Sequence, residues 1–329
     1  MATINANARL RAERMAAAAR SGVAGDRVFA ILARGSAWLV FALLIGIAVS
    51  MAWGGRLAFQ TFGWGFITGR DWDAVAKHFG AFVPIYGTLV TSAIAMLIAV
   101  PVSFGIAVFL AEVAPRLIRQ PIAIAIELLA AIPSIIYGMW GLFVFAPFMA
   151  EHVEPWLNDR LGPLPLLGPL FTGPPIGIGM LTAGIILAIM TIPFISSVMR
   201  DVFQAVPAGL RESAFALGAT PAEVVRRVTL PYTRSAVVGA VFLGLGRALG
   251  ETMAVTFVLG NAHDFSKSLL MPGNSIAAAI ANEFTEADSP IYLSSLIALG
   301  FLLFVVTFIV LALAKIMLSR MSRGEGRGA

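Results

Sequence analysis

Six apolar stretches, each long enough to cross a bilayer, constrain this chain more than any other feature. They run from about 35–53, within 84–111, within 121–149, and from about 176–199, 235–260 and 291–318. About 20 consecutive apolar residues span a hydrocarbon core, and a backbone there must satisfy its own hydrogen bonds, which selects helices. Composition agrees: 59% of the 329 residues are hydrophobic and 12% charged, against roughly 25% charged in soluble domains. The expected fold is all-α and integral to the membrane, with six transmembrane helices. Residues 1–30 form an Ala/Arg-rich tail before the first span, 31–53, which is too long for the core of a cleaved leader and is expected to be retained. The other five spans read as one domain, 84–318, followed by a short tail, 319–329. Pro101, Pro133 and Pro193 fall inside spans, where each should kink its helix.

Basic residues mark the orientation. The N-terminal tail, the 115–120 and 200–234 loops and the C-terminal tail, counted with Lys315 at the end of the sixth span, hold 17 Lys and Arg, and the alternate segments hold five. The asymmetry predicts that both termini and the 200–234 loop are cytoplasmic. The formal charge of +5 is spread as short clusters beside apolar runs, a membrane-protein pattern rather than a nucleic-acid-binding face. With no cysteine, thiolate metal ligation and disulfides are excluded. His78, His152 and His263 are isolated, fall in predicted loops and lack ligand spacing, so no metal or cofactor is expected. Residues 150–175, rich in Pro and Gly, read as an ordered, turn-laden loop. Ser275 is a plausible N-cap for a short helix, either a gate or a well-packed connection.

Residues 207–231 carry polar, capped structure between two apolar spans. Pro207 suits a first helix, bearing Arg211 and Glu212, that stops at Gly218. Thr220-Pro221-Ala222-Glu223 is a capping box launching a second helix, expected to end at Val228-Thr229-Leu230-Pro231. The product is an elbow with Ala214, Leu217 and Val224 available for another surface. Its apolar stripe is narrow and alanine-rich, a weak lipid anchor but suited to a protein cleft. The spacing E-x-A-x3-G over Glu212, Ala214 and Gly218, with Leu230-Pro231 beyond, resembles the EAA loop of ABC-transporter permeases, which docks onto the motor ATPase. Ser213 and Val228 depart conservatively from that pattern. This sequence holds no phosphate-binding G-x-x-x-x-G-K-[ST] loop, so ATP hydrolysis would belong to a separate subunit and this chain is expected to be a transport subunit rather than an enzyme.

The fifth span contains Arg247 and Glu251 about halfway along. Their i,i+4 spacing would place them on one face within pairing reach. An arginine there costs about 3 kcal/mol or more, so it must face protein or water. Two readings follow: a buried pair that fixes packing, or planar donors for an oxyanion crossing the membrane. Gly246 and Gly250 form a G-x-x-x-G where another helix can approach closely.

G-R-A-L-G-E-T-M-A-V from Gly246, I-P-S-I-I-Y-G-M-W-G-L from Ile132 and N-S-I-A-A-A-I-A-N-E-F from Asn274 together resemble the PstC family, permease subunits of bacterial phosphate ABC importers. The resemblance implies a type I importer (MetI-like) fold in the bacterial inner membrane. It also implies a heterodimer with a PstA-like second permease, a PstB-like ATPase dimer and an extracytoplasmic PstS-like phosphate-binding protein. Permeation of another oxyanion, and an ion-coupled carrier using Arg247–Glu251 as a proton relay, are the competing expectations.

Overall fold

The computed structural model describes the backbone of residues 2–323 and the side chains of 25–115 and 117–316. The distal residues of both expected tails lie outside that description. Among the described residues, six helices are long and apolar enough to cross a membrane. The chain divides into two units, Met1–Trp53 and Gly54–Ala329. The first unit is the body of one helix, α1 (Ala2–Gly54), whose apolar part is Gly25–Gly54.

In the second unit, α2 (Arg56–Phe62), α3 (Gly65–Thr68) and a small hairpin of β1 (Trp72–Asp73) and β2 (His78–Phe79) precede the long α4 (Phe82–Val113). There follow α5 (Arg116–Ala131), α6 (Ser134–Leu161), α7 (Gly168–Phe171) and α8 (Met180–Gln204). Then come α9 (Ala208–Ala216), α10 (Pro221–Leu249), α11 (Met253–Leu259), α12 (Ile276–Glu283) and α13 (Pro290–Arg323).

The core is the seam between α4 and α8. On α4 the buried positions Thr88, Thr91, Ala95, Ala99, Ser103 and Ala107 recur every three or four residues, with Ser92 beside them, so one face is uniformly small. Without a hydrophobic drive between helices in lipid, small residues allow the close contact that replaces it. Gly184 of α8 lies against Ile94, where an added Cβ would come within 2.6 Å of a side-chain carbon. Ser103 Oγ donates to the Ile192 carbonyl at 3.1 Å, beside the in-helix Pro193. Phe104 meets Phe203 edge to face. These contacts advance together along both chains, so α4 and α8 run in the same direction. Gly244 of α10 packs on Ile195 of α8, and Gly138 and Gly141 of α6 on α11.

Two expected boundaries are corrected. Pro133 does not kink a span over 121–149; it separates α5 from α6, because the residue before a proline is driven to extended backbone, and Ile132 adopts ψ 129°. The segment 150–175 begins as helix, with His152 inside α6 and stacked on Phe148. The fully buried Glu154 of α6 accepts from the Gly177 amide at 2.9 Å, pinning the turn that leads into α8.

α12 is a packed connection in this state. Ser275 caps it, accepting from the Ala278 amide at 3.1 Å, and Ile276, Ala278 and Ala279 are buried. Its last residue, Glu283, accepts from Trp72 Nε1 at 2.7 Å and Tyr292 Oη at 2.6 Å and lies 2.8 Å from His263 Nε2. His263, expected to be solvated, instead stacks on Trp72 at 5.6 Å. Burial alone would raise the Glu283 carboxyl, but the hydrogen bonds from His263, Tyr292 and Trp72 outweigh it and hold it below the usual range. A folded-state pKa below the unfolded value adds stability above the ordinary carboxylate pKa and loses it as pH falls through the folded value. Glu283→Gln is therefore expected to destabilise by about 1.5–3 kcal/mol at neutral pH. That gap should shrink below about pH 4, as followed by thermal unfolding in detergent. A gap that stays constant with pH would contradict this role.

Candidate functional site

The elbow forms as its residues dictate, with one correction. α9 starts after Pro207 and ends at Leu217. Gly218 then takes φ +85°, a left-handed geometry natural to glycine, and its amide donates to the Phe215 carbonyl at 2.9 Å. Thr220 N donates to Glu223 Oε2 at 3.0 Å and Glu223 N donates back to Thr220 Oγ1 at 3.4 Å, a complete capping box. Between the two helices lies a groove of about 340 Å³ lined by Ala214, Leu217, Gly218, Ala219, Glu223 and Arg227. Glu212 and Phe215 are exposed, and Leu217 is 90% exposed. Val224, expected to face outward, is 0% exposed; it closes the inner side of the elbow.

A second correction concerns Leu230 and Pro231. They do not terminate the elbow. α10 runs without interruption from the capping box to Leu249, by way of one wide turn over Val225–Thr229 in which the Leu230 amide reaches back to the Val225 carbonyl. Pro231 offers no N–H to the carbonyl four residues earlier. A wide, five-residue turn is a recognised way for a helix to absorb such a fault. Glu223 and Arg247 thus lie on one rod, 24 residues apart, about 36 Å at 1.5 Å per residue.

The rod stops beside Arg247. The fifth span is not one helix over 235–260: Arg247 sits in the last turn of α10, the chain turns at Gly250 (φ −94°, ψ 2°), and α11 starts after Thr252 (φ −112°, ψ −68°). Glu251 lies in this break, and the expected stacking of Arg247 and Glu251 is lost with the helical register. Among the described residues no ion pair joins them. Glu251 Oε1 instead accepts from the Ala254 amide at 3.4 Å, while the Arg247 guanidinium lies over the Phe194 ring, 5.6 Å from its centroid. Arg247 and Leu243 are exposed on this chain. The Gly246–Gly250 face is not filled from within: a Cβ on Gly246 would meet only the Leu311 side chain, at 3.7 Å. Alongside runs an apolar groove of about 390 Å³ lined by Gly239, Phe242, Leu243, Gly246, Leu311 and Lys315.

Sequence reasoning missed Phe194, Lys315 and, at the root of the elbow, Glu112 and Thr229. Phe194 and Thr229 look like ordinary span and loop residues. Glu112 had one readable signal, a lone carboxylate at the end of an apolar run.

A family described as "Binding-protein-dependent transport system inner membrane component" matches residues 103–323. The chain is 60% identical over 301 residues to the phosphate transport system permease protein PstC of Xylella fastidiosa (strain 9a5c), covering 92% of this chain and 93% of that protein. It is 55% identical over 301 residues to PstC of Mesorhizobium japonicum, covering 92% of each. Among solved structures, a bacterial ABC transporter involved in the import of the acidic polysaccharide alginate aligns with a TM-score of 0.56, covering 86% of this chain and 96% of that one, at 18% identity. That is a likeness of fold alone. With matches covering most of its length in both sequence and fold, this chain belongs to the binding-protein-dependent inner-membrane transport components and, within them, to the PstC permeases.

Proposed function

We propose that this chain is the membrane subunit of an ATP-driven importer of inorganic phosphate, working by alternating access. The observation that carries the mechanism is the unbroken helix linking a capped elbow at one end to Arg247 at the other. The cargo is inferred from the relatives, which are named as phosphate transport system permeases. A separate, PstB-like ATPase dimer would grip the groove around Leu217 and Gly218. As its subunits close and reopen, α10 would carry the movement into the bundle. The excess of Lys and Arg in the loops on one side supports a cytoplasmic elbow and cytoplasmic termini in the bacterial inner membrane. A PstS-like binding protein would deliver phosphate at the opposite side.

Glu251 bears on the substrate question. Because its carboxylate is turned to the Ala254 amide, it does not neutralise Arg247, and the guanidinium keeps its charge and planar donors for an oxyanion. A proton relay through an Arg247–Glu251 pair has no such support. An exposed arginine cannot face lipid cheaply, so a PstA-like second permease, with water between, is the natural cover for the Leu243–Arg247 face. Its helices would also fill the open Gly246–Gly250 face.

Arg247→Gln is expected to abolish ATP-driven phosphate uptake by proteoliposomes while the complex still elutes intact on size exclusion. Loss of assembly instead would make Arg247 a packing residue. Gly218→Val forces a β-branched residue into left-handed backbone, at a cost of about 1–2 kcal/mol. The site has open space around it, so the damage should be confined to the elbow's turn. Reduced co-purification of the ATPase and uncoupled hydrolysis are expected, and normal coupled uptake would argue against the elbow as the docking site.

A further inference from the structure

We propose that Glu112 is the positioning residue through which movement of the elbow reaches α4, an inference that rests on the ATPase-coupling reading above. Glu112 occupies the last turn of α4 and its side chain is only 5% exposed. Its Oε1 accepts from Thr229 Oγ1 at 2.9 Å, on the wide turn at the root of α10. The same oxygen faces Arg211 Nε of α9 at 3.5 Å. Arg211 also donates through Nη2 to the carbonyls of Phe203 and Val206, where α8 ends. One carboxylate therefore joins α4 to both arms of the elbow, and its arginine partner joins them to α8.

The two grips differ. The Thr229 contact is a normal hydrogen bond. Arg211 Nε is buried without a hydrogen-bond partner, and its 3.5 Å approach to Oε1 lies beyond the roughly 2.7–3.2 Å of an N–H···O bond. A buried, unsatisfied donor in a native structure calls for a physical reason, and a buried carboxylate persists only with partners. A small rotation of α9 toward α4 satisfies both groups at once. The loose contact is the rest position, and the tightened one draws α4 along when the ATPase moves the elbow. Because α4 packs along α8 through the seam of small residues, the pull reaches the helices that bear on Phe194 and Arg247. With the charge removed, α10 still follows the ATPase but α4 does not, and ATP is hydrolysed without transport.

The test is the number of ATP hydrolysed per phosphate moved by the complete complex in proteoliposomes. Glu112→Gln keeps an acceptor for Thr229 and removes the charge facing Arg211. Its expected effect is a rise of about tenfold in that ratio, with complex yield near wild type. Arg211→Gln should raise the ratio similarly and serves as the test where Glu112→Gln assembles poorly. The double variant should be no worse than Arg211→Gln alone, since that substitution already removes the contact with Glu112 as well as the arginine's own bonds to the end of α8. A wild-type ratio in both single variants, with uptake falling only as complex yield falls, would show a purely structural role and overturn the inference, as would independent, multiplying effects in the double variant. Failure of the wild-type complex to couple ATP to phosphate uptake would instead sink the functional reading on which this rests.

Discussion

A helix inside a bilayer must satisfy its backbone groups without help from water, and the rest of this structure depends on how α10 meets that demand. It does so continuously from Pro221 to Leu249, across the membrane surface, by spending one wide turn at Val225–Thr229 on the missing donor of Pro231. A hinge there would let the elbow flex and dissipate any force applied to it. A hydrogen-bonded rod transmits displacement along its axis instead. Discontinuity is postponed to Gly250–Thr252, immediately beyond Arg247, so in the proposed mechanism the rod would deliver movement at the break in the span.

In the proposed mechanism the surrounding helices would turn that displacement into a change of shape. The α4–α8 seam is built from small residues and glycine contacts, which give a close, stiff pair rather than an adaptable one. The elbow end is tied by polar groups through Glu112, Arg211 and Thr229. The other end is tied through Glu283, Trp72, Tyr292 and His263. Between these knots the α10 face bearing Leu243 and Arg247 is open, as the proposed meeting with a second subunit and a translocating anion would require.

Much of this was legible in the sequence because it rests on local rules. The apolar runs set the number of membrane helices, Thr220 and Glu223 announced a capping box, and Gly218 announced a left-handed turn. What was not legible depended on competition between local rules and context. Pro231 looked like a helix stop, but a wide turn absorbed it. Pro133 looked like a kink and proved to be a boundary. Arg247 and Glu251 looked like an i,i+4 pair, an inference valid only while the helix is unbroken; Gly250 and Thr252 break it. Val224 looked available because burial by the rest of the elbow has no signature along the chain. Glu112 and Thr229 are 117 residues apart, and no periodicity connects them.

The absence of native cysteine makes the central claim directly measurable. Spin labels at Ala222 and Leu243 report the length of the rod, about 32 Å for 21 residues, and a third label at Leu293 reports its position against α13. The account predicts that ATP binding to the full complex leaves the Ala222–Leu243 distance unchanged while the Leu243–Leu293 distance shifts. A changed Ala222–Leu243 distance with Leu243–Leu293 unmoved would mean that α10 bends at its wide turn and that force from the elbow never reaches Arg247.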